Sequence, residues 1–153
     1  MTNKYFKDEN LGFDDLYFVC YMIERVARKL KQHNSYIVNK IGKDNMYHLL
    51  SCAATLHSLN PLQVESDWIQ DYKLESGDFD ISSVDKNLCQ TIPSETQIGK
   101  VYARLIDSVN QNYIEGISEV YNSPLCQTID NYNASAYYEP SYVITKAYLN
   151  GGF

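Results

Sequence analysis

From Leu16 onward the apolar residues of this chain fall in steps of three and four: Val19, Cys20, Ile23, Val26, Ala27 and Leu30. That spacing places one stripe along a helix over residues 14–33. Asp14 reads as its N-cap, with a carboxylate able to accept from the free amides of the first turn. A helix with a single apolar stripe must bury it against other elements, so the rest of the chain is read for what could cover it. Glu24, Arg25, Arg28, Lys29, Lys31 and Gln32 fall mainly off the stripe. The cations gather in the last turns, where the helix dipole favours them.

More helices follow. Ser35 opens a short one, Tyr36–Ile41, closed by Gly42, and Asp44 caps a long one reaching His57, with Met46, Leu49, Leu50, Ala53, Ala54 and Leu56 on its apolar face. Asn60-Pro61 is a cap followed by proline at the first helical position, ahead of Leu62, Val64, Trp68, Ile69 and Tyr72. Ser94-Glu95-Thr96-Gln97 reads as a capping box before the stripe Ile98, Val101, Tyr102, Leu105 and Val109. Tyr113–Tyr121 and Leu125–Ile129 come next. The last segment is rich in β-branched residues, but Pro140 at its start and Gly151 past its end favour a helix. Residues 73–93 differ: Gly77, several aspartates and an alternation at Phe79 and Ile81 suggest a loop. One short extended piece is expected there near 78–82.

The expected fold is therefore all-α, an irregular or orthogonal bundle of about seven or eight short-to-medium helices. It is read as a single domain over 13–153 behind a flexible arm, 1–12, with a candidate seam at 73–93. The chain has 153 residues, 44% of them hydrophobic and 21% charged. It can bury a core without disulfides or metals.

Neither end nor middle suggests a membrane. The opening MTNKYFKDEN is polar with no apolar h-region behind it. The longest apolar run, Leu16–Ile23, is far short of the roughly 20 residues a span needs. Cys20, Cys52, Cys89 and Cys126 are scattered without a C-x-x-C, which reads as isolated reduced thiols and not a disulfide framework. A soluble, cytoplasmic protein is expected.

Net charge is −6, which argues against a general nucleic-acid binder. The charge is uneven, however: residues 1–43 carry +3 and the remainder −9. Arg25, Arg28, Lys29 and Lys31 form a small basic patch at the end of the first helix, so a DNA-binding regulator using that patch is one alternative.

The search for chemistry finds fragments. His48 and Cys52 lie four apart on one helix face and could supply two metal ligands, but no C-x-x-C or H-x-x-x-H supplies the other two that zinc needs. There is no G-x-G-x-x-G and no Walker sequence, and Asp78-Phe79-Asp80 lacks the later glycine and glutamate of a calcium loop. The acid pairs Glu115/Glu119 and Asp67/Asp71 read as solvated faces. No metal, cofactor or catalytic residue is assigned. A small enzyme or ligand-binding domain using His48, Cys52 and His57 is a second alternative.

Tyrosine is the compositional anomaly, at 14 residues against 5 phenylalanines. Tyr132, Tyr137, Tyr138, Tyr142 and Tyr148 lie in a stretch whose only charges from Asn131 onward are Glu139 and Lys146. Tyrosine supplies rigid contact area with a polar tip, which interfaces favour. These five are the candidate partner-binding residues, for another protein or a second copy of the chain.

Phe18-Val19-x-Tyr21-x-Ile23-Glu24, then Leu56-His57-Ser58, then Val64, Asp67 and Ile69 resemble the pattern of a group of small helical bacterial proteins of unknown function. Members of that group are often encoded beside ADP-ribosyltransferase-like proteins in toxin–antitoxin-like operons. The resemblance covers about residues 16–70. It implies a protein-binding role, antitoxin-like or accessory, with no catalytic residues and with Leu56-His57 structural. The leading expectation is a non-enzymatic, cytoplasmic protein-interaction module.

Overall fold

The computed structural model describes residues 1–3 and 10–153. The helices are α1 Phe13–Leu30, α2 Asn34–Ile41, α3 Lys43–Ser51, α4 Ala53–Leu56, α5 Pro61–Asp71, α6 Glu95–Val109, α7 Tyr113–Tyr121, α8 Pro124–Asp130 and α9 Ser141–Leu149. Two 3₁₀ turns, Tyr132–Ala134 and Ala136–Tyr138, link the last two. The described residues form no strand, and one isolated bridge joins Thr2 to Asn10. The fold is all-α, as the periodicity implied.

The stripe of α1 is the centre of the molecule. Leu16, Val19, Cys20, Ile23 and Val26 are fully buried. Helices α2 to α5 pack on parts of α1, α6 lies along it as the most extensive helix pair, and α7 and α9 pack on α6. The close approach of α1 and α6 depends on Gly99, where a Cβ would sit 2.8 Å from Tyr21 Cα and 2.9 Å from its nitrogen. Because α1 and α6 flank the 73–93 segment, the helices before and after it share one core.

Local boundaries shift for identifiable reasons. Helix α1 starts behind Gly12, whose amide donates to Asp15 Oδ2 at 2.9 Å. Asp15, and not Asp14, makes the terminal hydrogen bond. It ends at Lys31, in the left-handed region at φ 55°, with Gln32 N bonded back to Ala27 O, as a Schellman-type ending requires. His33 and Gly42, in place of Ser35 and Asp44, precede α2 and α3. The helix expected over 44–57 divides at Cys52 (φ −97°, ψ 2°). There Asn3 Nδ2 donates to Ser51 O at 3.0 Å, which occupies a carbonyl at the helix end. Asn60 caps α5 as expected, accepting from Leu62 N, and Ser94 caps α6, accepting from Gln97 N, but among the described residues the Gln97 side chain makes no return bond of a capping box.

The extended piece expected near 78–82 is not a strand. Its neighbourhood bonds instead to the end of α1: Gly77 N donates to Leu30 O at 2.8 Å and Phe79 N to Lys31 O at 2.9 Å. Carbonyls left over at the C-terminus of α1 take the place of a partner strand. Of the expected arm 1–12, Asn3 and Leu11 are buried, and Tyr47 Oη donates to Thr2 O at 2.7 Å. Residues 4–9 of that arm lie outside the described residues. No helix among the described residues is long and apolar enough to cross a membrane.

Candidate functional site: an acid-lined cleft over a buried polar network

Glu24 sits at the edge of the α1 stripe and is only 3% exposed. A buried carboxylate is costly unless paired and hydrogen-bonded, and this one is both. Its Oε1 accepts from Arg28 Nε and from Tyr132 Oη, each at 2.9 Å, and its Oε2 accepts from Asn34 Nδ2 at 2.9 Å. Arg28, one turn further along α1, also donates to Pro93 O at 2.8 Å and lies 3.6 Å from Glu95. The α1 helix thus supplies an acid and its counter-ion, α2 supplies the amide, and the first 3₁₀ turn supplies the phenol.

A second acid joins from α8. Asp130 Oδ1 accepts from Tyr102 Oη at 2.6 Å, Oδ2 lies 3.3 Å from the same Asn34 Nδ2, and the Cys126 thiol donates weakly to Oδ2 at 3.5 Å. Burial, reinforced by the negative charge of Glu24, pushes the Asp130 carboxyl up to about 7, against the opposing pull of Tyr102, Cys126 and Arg28. Burial also raises the Cys20 thiol to about 12 and raises the Cys126 thiol and the Tyr102, Tyr121 and Tyr132 hydroxyls. All of these remain protonated at neutral pH. Tyr102 and Tyr121 stack with ring centroids 4.4 Å apart, fixing the phenol that holds Asp130.

Above this network opens a cleft of about 530 Å³. Asp130, Cys126, Tyr121 and Tyr132 belong to both the network and the lining. The other walls come from the start of α2, from Asn131 and Asn133, and from Phe79 to Val84. The wall formed by 79–84 is held at both ends, at Phe79 also by its backbone bond to Lys31 O. The Phe79 ring stacks on His33 at 4.0 Å, and Asp85 N donates to Asn133 Oδ1 at 2.9 Å. Asp80, also in the lining, accepts from Ser82 N and Oγ, and these bonds, with Lys31 nearby, lower its pKa. Among the described residues, the lining contains two carboxylates and no Lys or Arg.

The sequence-predicted candidates are dispersed. Of the tyrosines, Tyr132 and Tyr137 are buried, Tyr138 and Tyr142 are exposed, and Tyr148 is half-buried. Tyr137 packs edge-on to Tyr132 at 5.4 Å between ring centroids. The stretch is therefore part core, part surface. His48 and Cys52 do share a face, with Nε2 and Sγ 3.9 Å apart, but His57 lies against Phe18 at 5.2 Å between rings. None of the three lines the cleft, and burial raises the Cys52 thiol. In the basic patch, Arg25 is bonded to Tyr21 and Glu65 and Arg28 is committed to Glu24, whereas Lys29 and Lys31 are exposed. Among the described residues, no group of three or more His, Cys, Asp or Glu side chains could hold a metal ion.

Glu24, Asn34, Phe79, Tyr102 and Asp130 were not singled out from the sequence as site residues. The available signal was Glu24 itself, four residues after Cys20 and four before Arg28, at the margin of an otherwise apolar stripe. No protein-family model matches the chain, and no match is found among curated proteins or solved structures.

Proposed function

We propose that the protein is a non-enzymatic binding module and that the cleft between α8 and the 79–84 segment receives a small ligand. The observation that carries this reading is Asp130: it lines a 530 Å³ cleft while Tyr102 and Asn34 hold it in place. A concave site with a few fixed polar groups and a perturbed carboxyl is the usual form of a ligand pocket. The raised thiols leave no activated cysteine nucleophile beside it. The test is a ¹⁵N-labelled sample of the full chain titrated with a library of small amines, carboxylates and neutral amides. Shifts confined to the amides of Phe79–Val84 and Asp130–Asn133 are expected. A library that moves none of them overturns the reading.

A second reading, contact with another protein, is favoured by α9. Tyr142 is 75% exposed and Leu149 69%, with Tyr138 and Phe153 also exposed. The antitoxin-like or accessory role implied by the family resemblance belongs to this reading, as does a cytoplasmic location. Co-expression with the product of an adjacent toxin-like gene should give a complex that Tyr142→Asp and Leu149→Asp disrupt. A complex indifferent to both changes removes α9 from the interface.

A further inference from the structure

The chemistry of the cleft also bears on which ligand it takes, an inference that rests on the cleft being the binding site. Two carboxyl groups, Asp130 and Asp80, line the space, and Glu24, paired with Arg28, lies behind Asp130 through the shared Asn34 amide. The one guanidinium in contact with the network, Arg28, is already divided between Glu24, Glu95 and the Pro93 carbonyl. A cleft lined by acids focuses their field on the occupant, so an anion entering here meets Asp80 and Asp130 and no Lys or Arg in the lining, with Lys31, outside the lining, acting on Asp80. The described residues offer no cluster of three or more metal-ligating groups, so the charge to be matched is better carried by an organic head group than by a bare ion. The lining also has flat apolar surface, the Phe79 ring stacked on His33 and the ring of Tyr132, against which the body of such a molecule can pack.

We infer that the cleft binds a small organic cation, a primary amine or guanidinium compound with an aromatic or apolar body, its charged head paired with Asp130 and its body against Phe79. Asp130 is then the anchoring residue, Tyr102 and Asn34 hold it in position, and Asp80 draws the cation in from the rim.

Three probes with the same ring and different charge test this: benzylamine, benzyl alcohol and benzoate, each titrated into the ¹⁵N-labelled full chain. Benzylamine should shift the amides around Asp130 and Phe79 and bind at least tenfold more tightly than the other two. In Asp130→Asn its affinity should fall to that of benzyl alcohol. Asp80→Asn, at an exposed position where the amide oxygen can still accept from Ser82, should weaken benzylamine at least twofold and leave benzyl alcohol unchanged, which keeps the test usable if Asp130→Asn fails to fold. If benzoate or benzyl alcohol binds in the cleft as tightly as benzylamine, the cation class is overturned and the cleft survives as a site. The class is equally overturned if benzylamine leaves the cleft unmoved while other library compounds shift it. If no compound of any class shifts the cleft, both readings fall together.

Discussion

Glu24 and Asp130 are joined by a single amide nitrogen: Asn34 Nδ2 stands 2.9 Å from Glu24 Oε2 and 3.3 Å from Asp130 Oδ2. One guanidinium, Arg28, serves this pair of acids, and it contacts Glu24 directly. Two carboxylates close together with one positive charge favour a shared proton. Asp130 is the acid whose affinity for that proton is raised, because burial and the charge of Glu24 act together on it.

The first prediction follows from that proton. The Asp130 carboxyl is raised to about 7 in the folded chain and returns to about 3.9 when unfolded. Between those values the native state holds a proton that the unfolded state has released, so stability is highest below the window and falls as pH rises through it. The linkage is of the order of a few kcal/mol. Asp130→Asn should flatten this slope and leave the variant more stable than the native chain above neutrality. Urea denaturation across a pH series checks it, and parallel curves for the two proteins would count against it.

The tyrosines separate into two classes that stability measurements can distinguish. Tyr132 donates to the buried Glu24 carboxylate and accepts from Arg28 Nη2 at 3.2 Å, so Tyr132→Phe removes both bonds and should cost at least about 1.5–3 kcal/mol. Tyr142, exposed on α9, should change stability by less than about 0.5 kcal/mol as Tyr142→Phe. Equal effects at the two positions would show that the buried phenol carries no special weight.

This division explains what the sequence could and could not convey. The stripe from Leu16 to Leu30 is local information, since each residue's neighbours three and four away settle which face is buried, and α1 follows directly. The Asn60-Pro61 and Ser94 starts are local too. Tyr132 and Tyr142 look alike in sequence, because what distinguishes them is Glu24, a residue far away that only the folded chain brings to one of them. The same holds for Asp130, which reads as the polar end of a short helix until Tyr102 and Asn34 converge on it. The break at Cys52 was hidden because the group that stabilises it, Asn3, lies near the chain's start. His48 and Cys52 were visible as a pair because four residues along a helix suffice to place them together, but helical spacing carries no information about whether a cleft opens beside them.

The thiols should react in a set order. Cys20, Cys89 and Cys126 are buried and Cys52 is half-buried. Burial raises the Cys20, Cys52 and Cys126 thiols, which keeps the reactive thiolate scarce. Titration of the native protein with a disulfide reagent near neutral pH should modify Cys52 alone, and slowly, and denaturant should release all four. Rapid modification of Cys126 would mean that the cleft floor opens more readily than its packing implies.

The last prediction concerns the contact on which the bundle is centred. Gly99→Ala gains about 1 kcal/mol in helix propensity, and on that ground alone it should stabilise α6. Its new methyl, however, would stand 2.8 Å from Tyr21 Cα and 2.9 Å from Tyr21 N. Those are backbone atoms of α1, which cannot rotate aside as a side chain would, so the two central helices must move apart. Overpacking of this kind costs about 1–3 kcal/mol, and here it acts along the most extensive helix pair in the fold, so the clash outweighs the propensity. Gly12→Ala is the control, since a methyl there would meet nothing within 4 Å and the backbone φ is −108°; it should cost no more than about 1 kcal/mol, the usual scale of an N-cap change. Denaturant midpoints of the two variants decide it: Gly99→Ala should be clearly the less stable, and a Gly99→Ala protein as stable as the native chain would mean that α1 and α6 are not in the close contact described.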